Sequence, residues 1–546
     1  PYPGLMGAIG AALLTREHCK EPGWKKTFIG LDAMDDFSYT QVSNSPCPFC
    51  ANHCKRTIIQ FSNGSSWVTN NRCERGEILG DIKDAQVAKQ LREKTQEKKA
   101  VPNLFQVRKK LLFQKYDYPS LAPERSVTIG IPRVLAFWEM MPFWQVFWNS
   151  LGFQIHISDY STRKIYESGL SAVTSDTVCF PAKLVHGHIR DLVKHKVDRI
   201  FMPSITTVPS ENTQKTSESM CAVLKGYPIV VRNSDNPEKK WKIPFDAPLF
   251  HWYEKEDRDR QLAIYMEETF KISRELTQKA VQAADAAQDS FERELKKAGQ
   301  KVLDEVRQKN TFAVVLASRP YQNDDLVNHD LPEMFTNMGV PVLTADSLPL
   351  VNQVDLSKSR LDIVNNFHAR MLSSAILAAK EEHLEYVQIV NFGCGHDAYL
   401  SDEIIRLMKE ISGKTPLILK LDESDIQGPL RIRVRSFLET VEMKKRKNQK
   451  EEIEELPDPY PVKYRKSDRR EKVALIPNTS HAFSRMMAAV FSAQGIRAVP
   501  LDIGREEAIR ISARARITAR LVQSTPTRSH MRSPPTMIRS EERRVG

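Results

Sequence analysis

Three stretches of the chain repeat one order of apolar and polar positions: a short apolar strand, an amphipathic helix, a glycine, a second apolar strand, and an Asp seven residues after that glycine. The first reads VTIGIPRVL and then PFWQVFWNSLGFQIHISD, with Gly152 and Asp159. The second reads TFAVVLASRP and LPEMFTNMGVPVLTAD, with Gly339 and Asp346, and the third KVALIPNTS and FSRMMAAVFSAQGIRAVPLD, with Gly495 and Asp502. A glycine ends a helix well because it enters the left-handed region without strain, and the β-branched run behind it suits a buried parallel strand. Further strands are expected at RIFMPS (199–204), YVQIVNF (386–392) and PLILKLD (416–422), with amphipathic helices between them. This alternation predicts an α/β protein built from repeated Rossmann- or flavodoxin-like parallel-sheet domains.

Between the first two units, residues 254–309 are dense in Glu, Lys, Gln and Ala, with Leu262, Tyr265, Met266, Thr269, Phe270, Ser273 and Leu276 at helical spacing. They predict one or two long helices, acting either as a solvated spacer or as a partner-binding connector. Residues 443–470 read as a charged, Pro-containing linker, and 471–510 as a third α/β unit cut short. From 511 to 546 the apolar period vanishes in an Arg-, Ser-, Thr- and Pro-rich tail, expected to be disordered or artefactual, since RSEERRVG resembles a translated adapter oligonucleotide.

Composition narrows the function. With 41% apolar and 27% charged residues over 546 positions, the chain is globular and long enough for several domains. The net charge of +12 invites nucleic acid as a partner, but positions 505–546 carry ten Arg against four Glu, half of that excess. The rest is dispersed over mixed-sign helices, which disfavours a phosphate-tracking stripe. No apolar run is long enough to cross a bilayer; the aromatic stretch from Val134 to Trp148 is broken by Glu139, Pro142 and Gln145. The start, PYPGLMGAIGAALL, lacks the basic segment of a signal peptide, and the eight cysteines fit a metal site in a reducing cytoplasm better than a disulfide framework. Neither a GxxxxGK[ST] loop nor a Gly-rich dinucleotide fingerprint occurs.

Two sets of cysteines carry the candidate chemistry. PCPFCANHCKR followed by NNRCERG supplies Cys47, Cys50 and Cys54, and then Cys73 after 18 intervening residues. A compact triplet with one distant thiolate suits a [4Fe-4S] cube; zinc and unligated thiols are the alternatives, and His53 could replace one thiolate. Lys55, Arg56, Arg72 and Arg75 flank the set and would balance an anionic centre. The second set, Cys179, Cys221 and Cys394, is dispersed. Cys179 precedes a helix begun by Pro181, while Cys221 and Cys394 follow predicted strands, so all three can reach the carboxyl edge of a parallel sheet, where doubly wound folds bind ligands. A helix N-terminus favours thiolate, whereas an isolated cysteine in such a fold is ordinarily a small buried apolar residue. His186 and His188 could act as acid-base groups or ligands, but alternate helical positions point in opposed directions, and a structural role for one or both is the simpler reading. Cys19 has no nearby partner.

The segments CPFCANHCKRTIIQF, NRCERGEILGD, IGIPRVLAFWEMMPFW, CFPAKLVHGHI, SRPYQNDDLVNHDLPEMFTNMGVPVLTADSLP and NFGCGHDAYLSDEI resemble the large activase-related proteins of the 2-hydroxyacyl-CoA dehydratase and benzoyl-CoA reductase system, over about positions 1–510. GLMGAIGAALL resembles the closing helix of an actin-like ATPase domain. The resemblance implies that residues 1–18 end such a domain, 19–118 form an iron-sulfur segment, 119–252 and 310–442 are dehydratase-like α/β domains joined by 253–309, and the ATP-binding half lies upstream. It further implies that Cys179, Cys221 and Cys394 hold a second [4Fe-4S] cluster with one open iron. On that reading ATP-driven motion sends low-potential electrons, from a ferredoxin or flavodoxin, through the Cys47, Cys50, Cys54 and Cys73 centre to the second one, for radical dehydration or reduction of an acyl-CoA. The alternatives are a non-catalytic iron-sulfur carrier or activator scaffold for a separate enzyme, and a zinc-stabilised structural protein.

Overall fold

The computed structural model describes residues 5–20, 24, 37–49, 55–71, 74–80, 84–91, 101–175, 177–212, 218–361, 363, 365–424, 427–447, 453, 465–469, 471–477 and 480–501. Cys50, His53, Cys54, Arg72, Cys73, most of the expected linker and the whole expected tail lie outside them, and for Arg75 only the backbone is described. The chain divides into two compact units, residues 1–456 and 457–546.

The first unit opens with helix α1 (Met6–His18), exposed along most of its length, and an antiparallel meander, β1 (Tyr39–Pro46), β2 (Lys55–Phe61) and β3 (Ser66–Thr69). Helix α2 (Leu104–Phe113) follows, its N-terminus capped by Asn103, whose Oδ1 accepts from the Phe105 and Gln106 N–H groups. A first α/β lobe then comprises β4 (Thr128–Ile131), α3 (Phe137–Ser150), β5 (Gln154–Ile157), α4 (Phe180–Lys194), β6 (Arg199–Phe201), β7 (Ser204–Thr207), α5 (Ala222–Ser234), β8 (Phe245–Asp246) and β9 (Leu249–His251). Helices α6 (Lys255–Phe270) and α7 (Arg274–Gln308) lead to a second lobe: β10 (Ala313–Ala317), α8 (Leu331–Thr336), β11 (Val342–Leu343), α9 (Asn366–Lys380), β12 (Leu384–Asn391), α10 (Gly395–Ser412), β13 (Leu417–Leu421) and α11 (Gln427–Arg446).

The two main sheets share one topology. Their strand orders are β5-β4-β6-β8 and β11-β10-β12-β13, all parallel, so each has its second strand outside its first and its third strand on the other side. This is the Rossmann-like, doubly wound arrangement that the strand and helix alternation predicts. Every residue of β10 and β12 is buried, as expected when helices cover both faces of a parallel sheet. Gly152 and Gly339 end α3 and the stretch after α8 with φ of +82° and +81°. At Gly152 a Cβ would also lie 2.1 Å from the Pro123 carbonyl oxygen, so the turn excludes any side chain.

The expected spacer is instead structural. Helix α7 is 35 residues long, about 50 Å at 1.5 Å per residue. Its Ala280, Val281, Ala284, Ala287, Phe291 and Leu295 belong to the first lobe's core, and its Val302, Leu303 and Val306 to the second's. The aromatic helix α3 lies against it with Trp138, Trp144 and Trp148 fully buried. Glu139 of α3, at the interruption in the apolar run, joins a buried ion network: Arg108 of α2 contacts it and Asp346, each at 2.7 Å, and Arg370 of α9 contacts both Glu139 and Glu211 at 2.5 Å.

The second unit contains β14 (Ala474–Ile476), helix α12 (His481–Ala493) and β15 (Ala498–Pro500), the strands paired in parallel. Ser480 caps the helix, and Gly495 at φ +74° ends it. Asp502 lies outside the described residues. Among the described residues no helix is long and apolar enough to cross a membrane.

Candidate functional site

Cys179, Cys221 and Cys394 each occupy the N-cap position of a helix: α4, α5 and α10. Cys221 and Cys394 are topologically equivalent, since each precedes the helix that joins the third to the fourth strand of its sheet. Cys179 precedes the helix joining the second strand to the third. The matching residue of the second lobe is Asn365, the N-cap of α9, which is buried and accepts from the Phe367 N–H at 2.9 Å. Two lobes of one topology thus offer four equivalent caps, of which three carry sulfur.

These caps are brought together between the lobes. The Asn366 N–H donates to the Ser219 carbonyl, two residues before Cys221, at 3.2 Å. At Gly393, next to Cys394, a Cβ would stand 2.9 Å from the Thr177 carbonyl oxygen, two residues before Cys179. The three thiols are close enough for their charges to interact: those of Cys221 and Cys394 act on Cys179, and that of Cys221 acts on Cys394. Burial dominates, and with those neighbouring charges it pushes the Cys179 thiol up to about 12 despite an N–H bond from Ala182. The Cys394 thiol is also raised by burial, although Arg319 and the Asp397 N–H oppose the shift. The helix termini alone therefore do not create thiolates; a bound cation would have to finish the task. The three sulfurs do not all lie within 4.8 Å of one another, whereas a tetrahedral zinc ion would draw thiolates to about 3.8 Å.

Residues that the sequence does not single out complete the site. Arg319, after β10, is buried, pairs with Asp397 at 2.7 Å and lies 3.2 Å from His368 Nε2. Burial works against its charge, but the Asp397 carboxylate paired with it holds the guanidinium protonated, and its Nη1 makes no hydrogen bond. Tyr321 is fully protonated at neutral pH, raised by burial and by the charges of all three cysteines. Burial, with Arg319 and His396, brings the His368 imidazole down to about 3.

The two histidines of α4 diverge. His186 Nε2 lies 3.2 Å from Tyr227 Oη, and its Nδ1 is 3.6 Å from Asp235. Burial opposes ionisation of Asp235, but His186, Lys240 and Arg190 bring it down to about 2. Tyr227 is raised by burial and by the charge of Cys179, so this buried row ends beside the thiols. His188 instead bridges Ser158 and Ser161 at 2.8 and 2.9 Å, so both of its ring nitrogens are already engaged.

Of the other cysteine set, only Cys47 is described: it is buried with Phe49, Ile78 and Val87. Cys50, Cys54 and Cys73 lie outside the described residues, and no cysteine-rich cluster segment is evident among those described. Arg56 donates from Nη1 to the Gly76 and Ile78 carbonyls at 2.6 and 2.7 Å. A separate group that could coordinate a metal is Asp159, Asp191 and His195, whose ligand atoms all lie within 4.8 Å of one another.

Residues 128–348 match a protein-family model described as the CoA enzyme activase uncharacterised domain (DUF2229). The chain therefore carries a CoA-enzyme-activase-related domain, running from β4 to just past β11 and including Cys179, Cys221 and Arg319 but not Cys394. A search of curated proteins finds no match.

Proposed function

We propose that this chain is an iron-sulfur redox protein for ATP-driven, one-electron dehydration or reduction of an acyl-CoA-type substrate, with Cys179, Cys221 and Cys394 holding a [4Fe-4S] cluster that keeps one iron open. The observation that carries the reading is the meeting of three thiol-bearing helix N-caps at the carboxyl edges of two sheets, where the fourth equivalent cap is Asn365. The donor set fits an anionic cluster: N–H groups of Ala182 and Asp397 bond two of the sulfurs, and buried Arg319 offers a compensating charge. When bound, such a cluster supplies one-electron chemistry that side chains lack. The chain's own groups then hold protons and exclude water: Tyr321 keeps its Oη proton beside the thiols, and Tyr227 does so against His186 and Asp235. We further propose that Cys47, Cys50, Cys54 and Cys73 hold a second [4Fe-4S] centre, that upstream ATPase domains supply the motion, and that a ferredoxin or flavodoxin supplies electrons.

Anaerobic purification with iron, sulfide and zinc analysis tests this. About eight irons per chain are expected for two cubes, falling to about four in Cys394→Ser. An iron-free chain with stoichiometric zinc, or iron content unchanged by Cys179→Ser, Cys221→Ser and Cys394→Ser, would overturn the assignment.

A further inference from the structure

We propose that Asp159, Asp191 and His195 form a separate binding site for one divalent first-row transition ion of the zinc or cobalt type. Asp159 lies just beyond β5, Asp191 on the last turn of α4, and His195 is the residue that closes that helix. Ligand atoms already within 4.8 Å need only close to about 3.5 Å around an ion with bonds near 2.1 Å. Asp159 and His195 are exposed, so their side chains have room to move into that adjustment, while Asp191 is buried.

His195 Nδ1 lies 2.9 Å from the Asp191 backbone oxygen and 3.6 Å from Asp191 Oδ2, so ligation would turn the ring off that backbone oxygen to present a nitrogen lone pair beside the carboxylates. The Asp159 N–H donates to Asp191 Oδ2 at 2.9 Å, which orients that carboxylate. An independent pointer comes from His156: its Nε2 is shielded from solvent without any hydrogen-bond partner, and its ring lies 4.5 Å from that of His195. The ion would also sit at the carbonyl end of α4, where the helix dipole favours positive charge. Mixed imidazole and carboxylate donors select zinc-like ions over calcium or magnesium. Cys179 caps the opposite end of this 15-residue helix, about 22 Å away, so the site uses no thiol and stands independently of the iron-sulfur reading.

Cobalt(II) titration of the full, anaerobically purified chain is the test. The expected result is one Co2+ per chain with visible d-d bands and no sulfur-to-cobalt charge transfer, affinity weakened at least about tenfold in His195→Ala and Asp159→Asn, and no change in Cys179→Ser. Both substituted residues are exposed, so loss of binding there is not loss of the fold. Absence of stoichiometric binding, equal affinity in both variants, or a charge-transfer band abolished by Cys179→Ser would overturn the proposal.

Discussion

Replacing Arg370 by Met tests how strongly the two lobes are fastened beside the cysteines. Arg370 Nη2 contacts Glu139 and Glu211 at 2.5 Å, its Nε reaches Glu211 at 3.1 Å, and its Nη1 stands 3.7 Å from Asp346. Breaking a buried ion pair on one side costs about 3–5 kcal/mol because the partner is left desolvated. Glu139 and Asp346 would keep Arg108, and Glu211 is 30% exposed, so the lower end, about 3 kcal/mol, is expected. The loss should depend on pH with a definite sign. Burial raises Asp346, but Arg108 and Arg370 outweigh it and bring the carboxyl down to about 2. Since that lies below the unfolded value of about 3.9, its contribution is present above about pH 4 and disappears as pH falls toward 2. Without Arg370 this contribution shrinks, so wild type and variant should differ fully at pH 7 and converge on acidification. Urea unfolding followed by the buried tryptophans of the first lobe measures the difference, with Arg370→Lys as a variant that keeps charge but loses the planar fork. A deficit below about 1 kcal/mol at pH 7, the size of a surface pair, or one that stays constant into acid, would refute the reasoning.

Gly299→Ala should lower the melting temperature, because a Cβ there would stand 1.9 Å from the Ser347 carbonyl oxygen; overpacking of about 1–3 kcal/mol should outweigh alanine's helical advantage of about 1 kcal/mol, and a rise in Tm would count against the close contact. Asp324 is raised by burial to about 6, so its carboxyl favours folding below about pH 4 and opposes it as pH rises through 6. Asp324→Asn should therefore gain on wild type between pH 4 and 8, by up to about 3 kcal/mol, and parallel pH profiles in urea would contradict this. Tyr227→Phe leaves the buried His186 Nε2 without its partner and should cost about 1–3 kcal/mol at neutral pH, which an unchanged urea midpoint would exclude.

The parallel strands were legible because buried β-branched runs, helix periods and closing glycines agree at each unit, and Gly152, Gly339 and Gly495 all take the left-handed conformation. The role of α7 was not, because its contact face depends on Ala280, Ala284 and Ala287, residues that read as filler among charges yet let α3 approach closely. The Asp after each glycine is equally regular in sequence but unequal in role: Asp159 is exposed, whereas Asp346 pairs with Arg108. Cys179, Cys221 and Cys394 could be singled out from their places beside predicted strands and a helix start. Their meeting, and the presence of Arg319, Tyr321, Tyr227 and Asp235 around them, depends on contacts between distant segments that no local pattern records. The opposed directions of His186 and His188, by contrast, followed directly from helical geometry.

Because one continuous helix supplies apolar side chains to both cores, the two halves of the first unit are not interchangeable modules. A gene cut on either side of α7 would hand the spine to one product and strand an uncovered greasy trench on the other. Recombination, partial expression or limited proteolysis can therefore liberate at most one of the halves in a form that stays dissolved.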